Sequence, residues 1–423
     1  MIVTINPSVI SGNVHAPASK SSMQRACAAA LILNGETIIS NAGNSDDDLA
    51  ALDVIQKLGA TVTSLQNNKL LIRGSNFASN STEINCGESG LGLRMFAPIA
   101  ALSHNEIILN GKGSLLQRPM DFFDEVFPQL DILTHSNNGK LPIKIKGPLQ
   151  PKEVTIDGSV SSQFLTGLLM AYAKACVTPV SIKVNNLKSK PYIDLTLHVL
   201  KHFGWHVENR DYKEFYFLST NNDQRSTINY TVEGDWSGAS FLLVASAIAG
   251  KINVEGLDVH SVQADKAILS ALEKAGAEVV IKENGICVKG QELKGFDFDA
   301  TDSPDLFPPL VALAAYCKGV THITGVDRLA HKESNRGLSL QNEFKKIGVN
   351  ILLQDDVMII ESDKAPVGAV VHSNHDHRIA MACAVAALKA HGQTTIHDAE
   401  AINKSYPDFY DHLKRLNASL QIT

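Results

Sequence analysis

Apolar and polar positions along this chain follow one template that recurs. Residues 28–33 read as helix, residues 36–40 alternate like a strand, and Asn44-Ser-Asp-Asp-Asp48 is polar throughout. Leu49, Leu52, Ile55 and Leu58 then mark one helix face ending at Gly59. The strand of the template recurs at residues 106–109, 180–184, 251–254, 320–324 and 393–397. The amphipathic helix recurs at 119–130, 192–203, 264–275, 335–347 and 407–416, and several copies close on Gly204, Gly276, Gly348 or Asn417. Glycine and asparagine accept the left-handed backbone that ends many helices. A period of about 70 residues is too long for a solenoid unit and suits a compact βαβ-type subdomain.

The sixth copy stops at Ile422-Thr423 without its closing hairpin strand, while residues 2–10 precede the first copy and alternate like a strand. The N-terminal strand is therefore expected to complete the sixth unit. On that reading residues 1–18 with 233–423 form one lobe, carrying copies four to six, and residues 19–232 form the other, carrying copies one to three. The crossings fall near Pro17-Ala-Ser19 and Val232-Glu-Gly-Asp235. A chain of 423 residues also exceeds one ordinary core.

A hydrophobic content of 44% with 19% charged residues marks a globular chain. Lys and Arg total 38 against 44 Asp and Glu, so no basic excess suggests nucleic acid as a partner, and any anion site must be a local concentration of charge. The cysteines at 27, 86, 176, 287, 317 and 383 include no C-x-x-C pair. Neither a zinc site nor a disulfide framework is expected, and a reduced cytoplasmic setting fits. The start, Met1-Ile-Val-Thr-Ile-Asn, lacks a basic leader region, and no apolar run approaches the roughly 18 residues of a membrane span.

Each copy offers two polar loops that open helices. The first set reads Ala18-Ser-Lys-Ser-Ser-Met-Gln-Arg25, Gly87-Glu-Ser-Gly-Leu-Gly-Leu-Arg94, Gly158-Ser-Val-Ser-Ser-Gln163, Gly234-Asp-Trp-Ser-Gly238, Asp302-Ser-Pro-Asp305 and Asn374-His-Asp-His-Arg378. The second contains Asp46-Asp-Asp48, Gln117-Arg118, Lys188-Ser-Lys-Pro-Tyr192, Gln263-Ala-Asp265, Lys332-Glu-Ser-Asn-Arg336 and Asn403-Lys404. Within one helical turn Lys332 and Arg336 would share a face and grip one anion, with the Glu333 carboxylate beside it for proton transfer. Taken singly these pieces also have plain readings. Ser19, Ser45 and Ser159 suit helix N-caps, Asp46-Asp-Asp48 suits dipole compensation, and Cys86 suits a packed thiol. His375-x-His377 hints at metal, but no carboxylate–histidine set at ligand spacing accompanies it. No Walker A, G-x-G-x-x-G or G-x-S-x-G motif appears. Together, Lys20, Arg25, Arg94, Arg118, Lys332, Arg336, Arg378 and Lys404 stand at helix starts of a chain with a formal net charge of -6. That pattern calls for substrates with several negative charges, and Asp305 and Glu333 are the acids placed for proton transfer.

Pro17-Ala-Ser-Lys-Ser21 with Arg25, Asp157-Gly-Ser-Val-Ser-Ser-Gln-Phe164, Ser189-Lys-Pro-Tyr-Ile-Asp194, Glu233-Gly-Asp235, Pro304-Asp305, Lys332-Glu-Ser-Asn-Arg336, Asp376-His-Arg378 and Lys404-Ser-Tyr-Pro-Asp408 resemble, in order, the motifs of 5-enolpyruvylshikimate-3-phosphate synthases. The resemblance implies an α/β enolpyruvyl transferase fold of two lobes, each built of three βαβαββ repeats, with the active site in the inter-lobe cleft. It implies transfer of the enolpyruvyl group of phosphoenolpyruvate to the 5-hydroxyl of shikimate 3-phosphate, by a cytoplasmic monomer without metal or organic cofactor. Lys20, Ser21, Arg25, Ser161, Ser162, Gln163, Ser189, Tyr192, Asp305 and Lys332 are implied to meet shikimate 3-phosphate. Lys20, Gly90, Arg118, Gln163, Arg336, Arg378 and Lys404 are implied to meet phosphoenolpyruvate. Lys20, Asp305 and Glu333 form the implied catalytic set, with Glu333 for the proton at C3, Asp305 for the hydroxyl side and Lys20 as acid or electrophilic partner.

The chain departs from the family pattern at Glu88-Ser-Gly-Leu91, where an Asn-Ala-Gly-Thr-like segment is usual, at Arg328 in place of Asn, and at Ala18 in place of a common Gly. Glu88 is expected to add negative charge close to the phosphoenolpyruvate contacts. Two other readings are an enolpyruvyl transferase acting on UDP-N-acetylglucosamine, whose usual catalytic-loop cysteine has no counterpart here, and a non-catalytic anion-binding paralogue.

Overall fold

The computed structural model describes residues 1–77, 81–219, 227–330, 332–362 and 364–423. The backbone falls into two compact units, Lys20–Val232 and Met1–Ser19 with Glu233–Thr423. Among the described residues each unit holds three four-stranded sheets of one topology. An outer strand runs parallel to a central strand, the central strand pairs antiparallel with a third, and the third with a fourth; these last two form a hairpin in every sheet but the one that holds Ile2–Ile5 and Leu420–Ile422.

In the unit Lys20–Val232 the helices are α1 (Lys20–Ile32), α2 (Asp46–Lys57), α3 (Gly90–Ala100), α4 (Asp121–Val126), α5 (Ser162–Ala175) and α6 (Lys190–His202). The central strands are Glu36–Ser40, Glu106–Asn110 and Val180–Asn185. Strand positions obey the period of two: in Ile143–Lys146 both isoleucines are buried and both lysines exposed. The apolar helices obey a different rule. Every residue of α3 is buried, as expected of a helix apolar on all sides but for Arg94, and α1, α3 and α5 pack on one another. Gly167 of α5 makes that packing close, since a Cβ there would sit 2.6 Å from the Arg94 carbonyl oxygen of α3. Helix α6 instead buries the stripe Ile193, Thr196 and Leu200, with each buried Ile or Leu stabilising the unit by roughly 1.5–3 kcal/mol.

The unit Met1–Ser19 with Glu233–Thr423 repeats this plan with α7 (Trp236–Ala249), α8 (Ile268–Lys274), α9 (Phe307–Ala314), α10 (Arg336–Lys346), α11 (His377–Ala387) and α12 (Phe409–Arg415). Helices α7, α9 and α11 are buried along their whole length and pack together.

The strand expected over residues 2–10 is two strands. Ile2–Ile5 pairs with Thr394–His397 and Leu420–Ile422 in the sheet of the sixth copy, whereas Ile10–His15 runs parallel to Gly250–Glu255 and opens the fourth. Pro7 lies between them; without an N–H it cannot continue a sheet ladder. Correspondingly, Ile228–Thr231 runs parallel to Glu36–Ser40 and opens the first copy. The helix expected over 119–130 is α4 followed by the 3-10 turn Phe127–Leu130, where Pro128 removes an α-helical donor.

Candidate active site

The unit Lys20–Val232 gathers its polar side chains at the starts of α1, α3, α5 and α6. Lys20 Nζ donates to Asp47 Oδ2 at 2.9 Å, so an acid readable as dipole compensation orients a candidate catalytic lysine. Its neighbour Asp48 closes a capping box with Ser45, and burial pushes the Asp48 carboxyl up to about 6 against the Ser45 hydrogen bonds. Further along α1, Arg25 is buried. Its Nε donates to Thr196 Oγ1 at 2.9 Å, Nη1 to the Ser21 carbonyl at 2.8 Å and Nη2 to the Tyr192 carbonyl at 3.2 Å. Burial lowers the guanidinium to about 10, which leaves it charged at neutral pH. Arg25 thus fastens α1 to the first turn of α6, where Ser189 stands in the left-handed region at φ 58°.

At α5 the N-cap is Ser161, whose Oγ accepts from Gln163 N at 3.3 Å and whose proton remains a donor. Ser162 is buried beside it. Gln163 Oε1 accepts from Arg94 Nη1 at 2.9 Å, and the Arg94 guanidinium lies over the Phe164 ring at 5.0 Å. Arg94 and Arg118 meet at the start of α3. A Cβ on Gly90 would be 2.4 Å from Arg118 Nη1 and 3.6 Å from Arg94 Nη1, so the bare glycine admits both cations to a helix N-terminus. Glu88 is turned to a neighbouring loop, where its Oε2 accepts from Ser114 N at 3.4 Å in the 3-10 turn Gly113–Gln117. Ser114 Oγ in turn accepts from Arg118 Nη2 at 3.5 Å.

In the other unit three cations converge on Asp305, which sits in the 3-10 turn Pro304–Leu306 before α9. Asp305 accepts from Lys332 Nζ at 3.3 Å, Arg336 Nη1 at 2.7 Å and Arg378 Nη2 at 3.0 Å. Burial alone would raise this carboxyl, but Arg378, Lys332 and Arg336 outweigh it and hold Asp305 well below the usual carboxylate range. Burial lowers the Lys332 ammonium although Asp305 opposes it. Arg336 Nε donates to Asp376 Oδ2 at 2.8 Å, and Arg336 Nη2 pairs with Glu333. Asp376 also caps α11 by accepting from Arg378 N at 2.9 Å. Lys404, at the end of the 3-10 turn Ala399–Lys404, donates from Nζ to the His375 carbonyl at 2.5 Å.

Lys332 and Arg336 do not share a helix face. Asn335 caps α10 by accepting from Leu338 N at 3.3 Å, so the helix opens at Arg336 and Lys332 lies in the preceding loop. They reach Asp305 from loop and helix respectively. Ser159 is no N-cap either: its Oγ donates to Asp157 Oδ2 at 2.8 Å, while Ser45 caps as expected. Cys86 is buried, and burial raises its thiol to about 12, an inert state. Sequence reasoning passed over Asp47, Thr196, Asp265 and Asp376 as site residues. Burial and the charge of Asp305 push the Asp265 carboxyl above the usual range despite Arg378 nearby. For Asp376 the signal was its N-cap place in Asp376-His-Arg378; Thr196 carried none. Among the described residues no group of three or more His, Cys, Asp and Glu side chains is arranged to hold a metal ion.

The profile of the family described as EPSP synthase (3-phosphoshikimate 1-carboxyvinyltransferase) matches residues 5–413. A curated 3-phosphoshikimate 1-carboxyvinyltransferase of Clostridium perfringens is 36% identical over 422 residues, covering 99% of each chain. Its counterpart from Clostridium novyi is 34% identical over 424 residues, covering 98% of this chain and 97% of its own. The solved EPSP synthase of Acinetobacter baumannii superposes with a TM-score of 0.83 at 24% identity, over 100% of this chain and 99% of its own. The enolpyruvyl transferase NikO of Streptomyces tendae superposes with a TM-score of 0.80 at 17% identity, over 100% of this chain and 98% of its own. These two structures bear on the fold.

Proposed function

We propose, because the chain belongs to the EPSP synthase family, that it transfers the enolpyruvyl group of phosphoenolpyruvate to the 5-hydroxyl of shikimate 3-phosphate, releasing phosphate on the shikimate route to chorismate and aromatic amino acids. The observation that carries the chemistry is the convergence of Lys332, Arg336 and Arg378 on Asp305, with Glu333 on the same Arg336. Two acids within reach of three cations suit a reaction that moves protons beside anionic groups.

In this reading Ser21, Arg25, Ser161, Ser162, Gln163, Ser189 and Tyr192 hold shikimate 3-phosphate, with Lys20, Asp305 and Lys332 at its hydroxyls. Lys20, Gly90, Arg118, Gln163, Arg336, Arg378 and Lys404 hold phosphoenolpyruvate. The 5-hydroxyl oxygen adds to C2 of phosphoenolpyruvate as C3 takes a proton from Glu333. The hydroxyl proton passes toward Asp305. The Glu333 carboxylate then takes a proton back from C3, the double bond re-forms, and the C2–O bond to phosphate breaks. An anion drawing Arg378 or Lys332 competes with Asp305 for that cation, and each cation lost makes Asp305 a stronger base. Cations at the phosphate stabilise the tetrahedral adduct and the leaving group. The same reading makes the enzyme a cytoplasmic monomer needing no metal or organic cofactor. No helix among the described residues is long and apolar enough to cross a membrane.

Phosphate release tests the assignment. Release is expected with shikimate 3-phosphate plus phosphoenolpyruvate and not with UDP-N-acetylglucosamine plus phosphoenolpyruvate. Release only with the nucleotide sugar moves the chain to the related transferase, and binding of both substrates without release makes it an anion-binding paralogue.

A further inference from the structure

Lys404 is placed by a carboxylate outside the reacting set. Asp398 Oδ2 accepts from Ser373 Oγ at 2.8 Å and His375 N at 3.0 Å, and pairs with His375 Nδ1 at 2.6 Å. The carbonyl of the same His375 receives Lys404 Nζ at 2.5 Å. Asp398 immediately precedes the 3-10 turn Ala399–Lys404, so one carboxylate joins the base of the turn to the loop that catches its far end.

The backbone explains why that loop needs holding. Asn374 and His375 are consecutive non-glycine residues in the left-handed region, at φ 54° and 57°, a conformation uncommon for two successive residues with a Cβ. Asp398 itself has φ 57°. Besides the bonds to Asp398, Asn374 N donates to His372 Nδ1 at 2.9 Å, and Asn374 Nδ2 donates to Glu343 Oε1 at 3.3 Å from α10. This geometry aims the His375 carbonyl at Lys404. A lysine head on four rotatable carbons otherwise samples many positions.

We propose that Asp398 is a positioning residue for phosphoenolpyruvate: through His375 it fixes the Lys404 ammonium where the substrate's anionic group is bound. The inference rests on the functional reading above, in which Lys404 meets phosphoenolpyruvate.

Steady-state phosphate release is compared for the wild type, Asp398→Ala, Lys404→Ala, the double variant and Asp398→Asn. Asp398→Ala should raise KM for phosphoenolpyruvate about tenfold and leave KM for shikimate 3-phosphate within about twofold, as loss of orientation at one substrate predicts. It should add nothing to Lys404→Ala. Asp398→Asn should recover most of the affinity, because its Oδ1 still accepts from Ser373 Oγ and His375 N. Losses that multiply in the double variant, equal rises in both KM values, or an Asn variant no better than Ala would overturn the proposal. If Asp398→Ala does not fold, Asp398→Asn and Ser373→Ala in the Lys404→Ala background decide the same question. A wild-type chain that releases no phosphate sinks the functional reading and this inference together, whereas an active wild type with multiplying losses sinks the inference alone.

Discussion

A Cβ placed on Gly90 would lie 2.4 Å from Nη1 of Arg118. The clash is with the far end of a flexible side chain, so Gly90→Ala should displace the guanidinium rather than unfold α3. KM for phosphoenolpyruvate should then rise several-fold, while KM for shikimate 3-phosphate and the urea midpoint barely move. Unchanged KM values would show that Arg118 does not need that place.

Arg336 and Asp376 form a buried ion pair, with side-chain exposures of 1% and 0%. Removing one partner of an isolated buried pair leaves an uncompensated charge, at about 3–5 kcal/mol. Arg336 keeps Asp305 and Glu333 when Asp376 is lost, so Asp376→Ala should lower unfolding free energy by less than that in urea titration. Glu333→Gln, at a side chain with 17% exposure and with an amide oxygen still able to accept from Arg336, should cost much less.

Lys20→Ala should reduce turnover by a factor on the order of 100 or more, because it removes a cation opposite developing negative charge. Its partner Asp47 would also lose its charge mate at 2.9 Å, so the melting temperature is measured alongside. Near-normal turnover would remove Lys20 from the mechanism.

Glu333→Gln should keep substrate binding and slow exchange of solvent deuterium into the methylene of phosphoenolpyruvate, since the amide cannot carry the proton. Exchange at the wild-type rate would assign the C3 proton to another group.

Asp48 predicts a pH dependence of stability. Its folded-state value of about 6 lies above the ordinary 3.8, so the native state binds the extra proton. The stability linked to that proton is fully present below 3.8 and is lost as pH rises through about 6, at roughly 1.4 kcal/mol per pH unit between the two values. Asp48→Asn retains an acceptor for Ser45 and does not titrate. Its unfolding free energy relative to wild type should therefore improve from pH 4 to pH 6 and level off above that. A constant difference across this range would mean that Asp48 titrates alike in both states.

Several features were legible without coordinates because they are local. Apolar periods of two and of about 3.6 mark strands and helices whatever the partner, so the six-fold template and its central strands could be read from the chain. Cations at helix starts, such as Lys20, Arg336 and Arg378, were legible for the same reason, whereas Lys332, expected at a helix start, lies in a loop and Lys404 ends a 3-10 turn. The sequence by itself did not determine which acid or hydroxyl each cation rests on. Lys20 and Asp47 stand 27 residues apart, Arg336 and Asp376 40, and Arg25 and Thr196 171. It also did not separate Ile2–Ile5 from Ile10–His15, which join different sheets around Pro7. Contacts between distant residues depend on how helices and sheets pack, and a buried charge accepts whichever partner that packing delivers within hydrogen-bonding distance. Local pattern thus determined the elements and the cations at their ends, and tertiary packing decided the carboxylates that hold those cations in place.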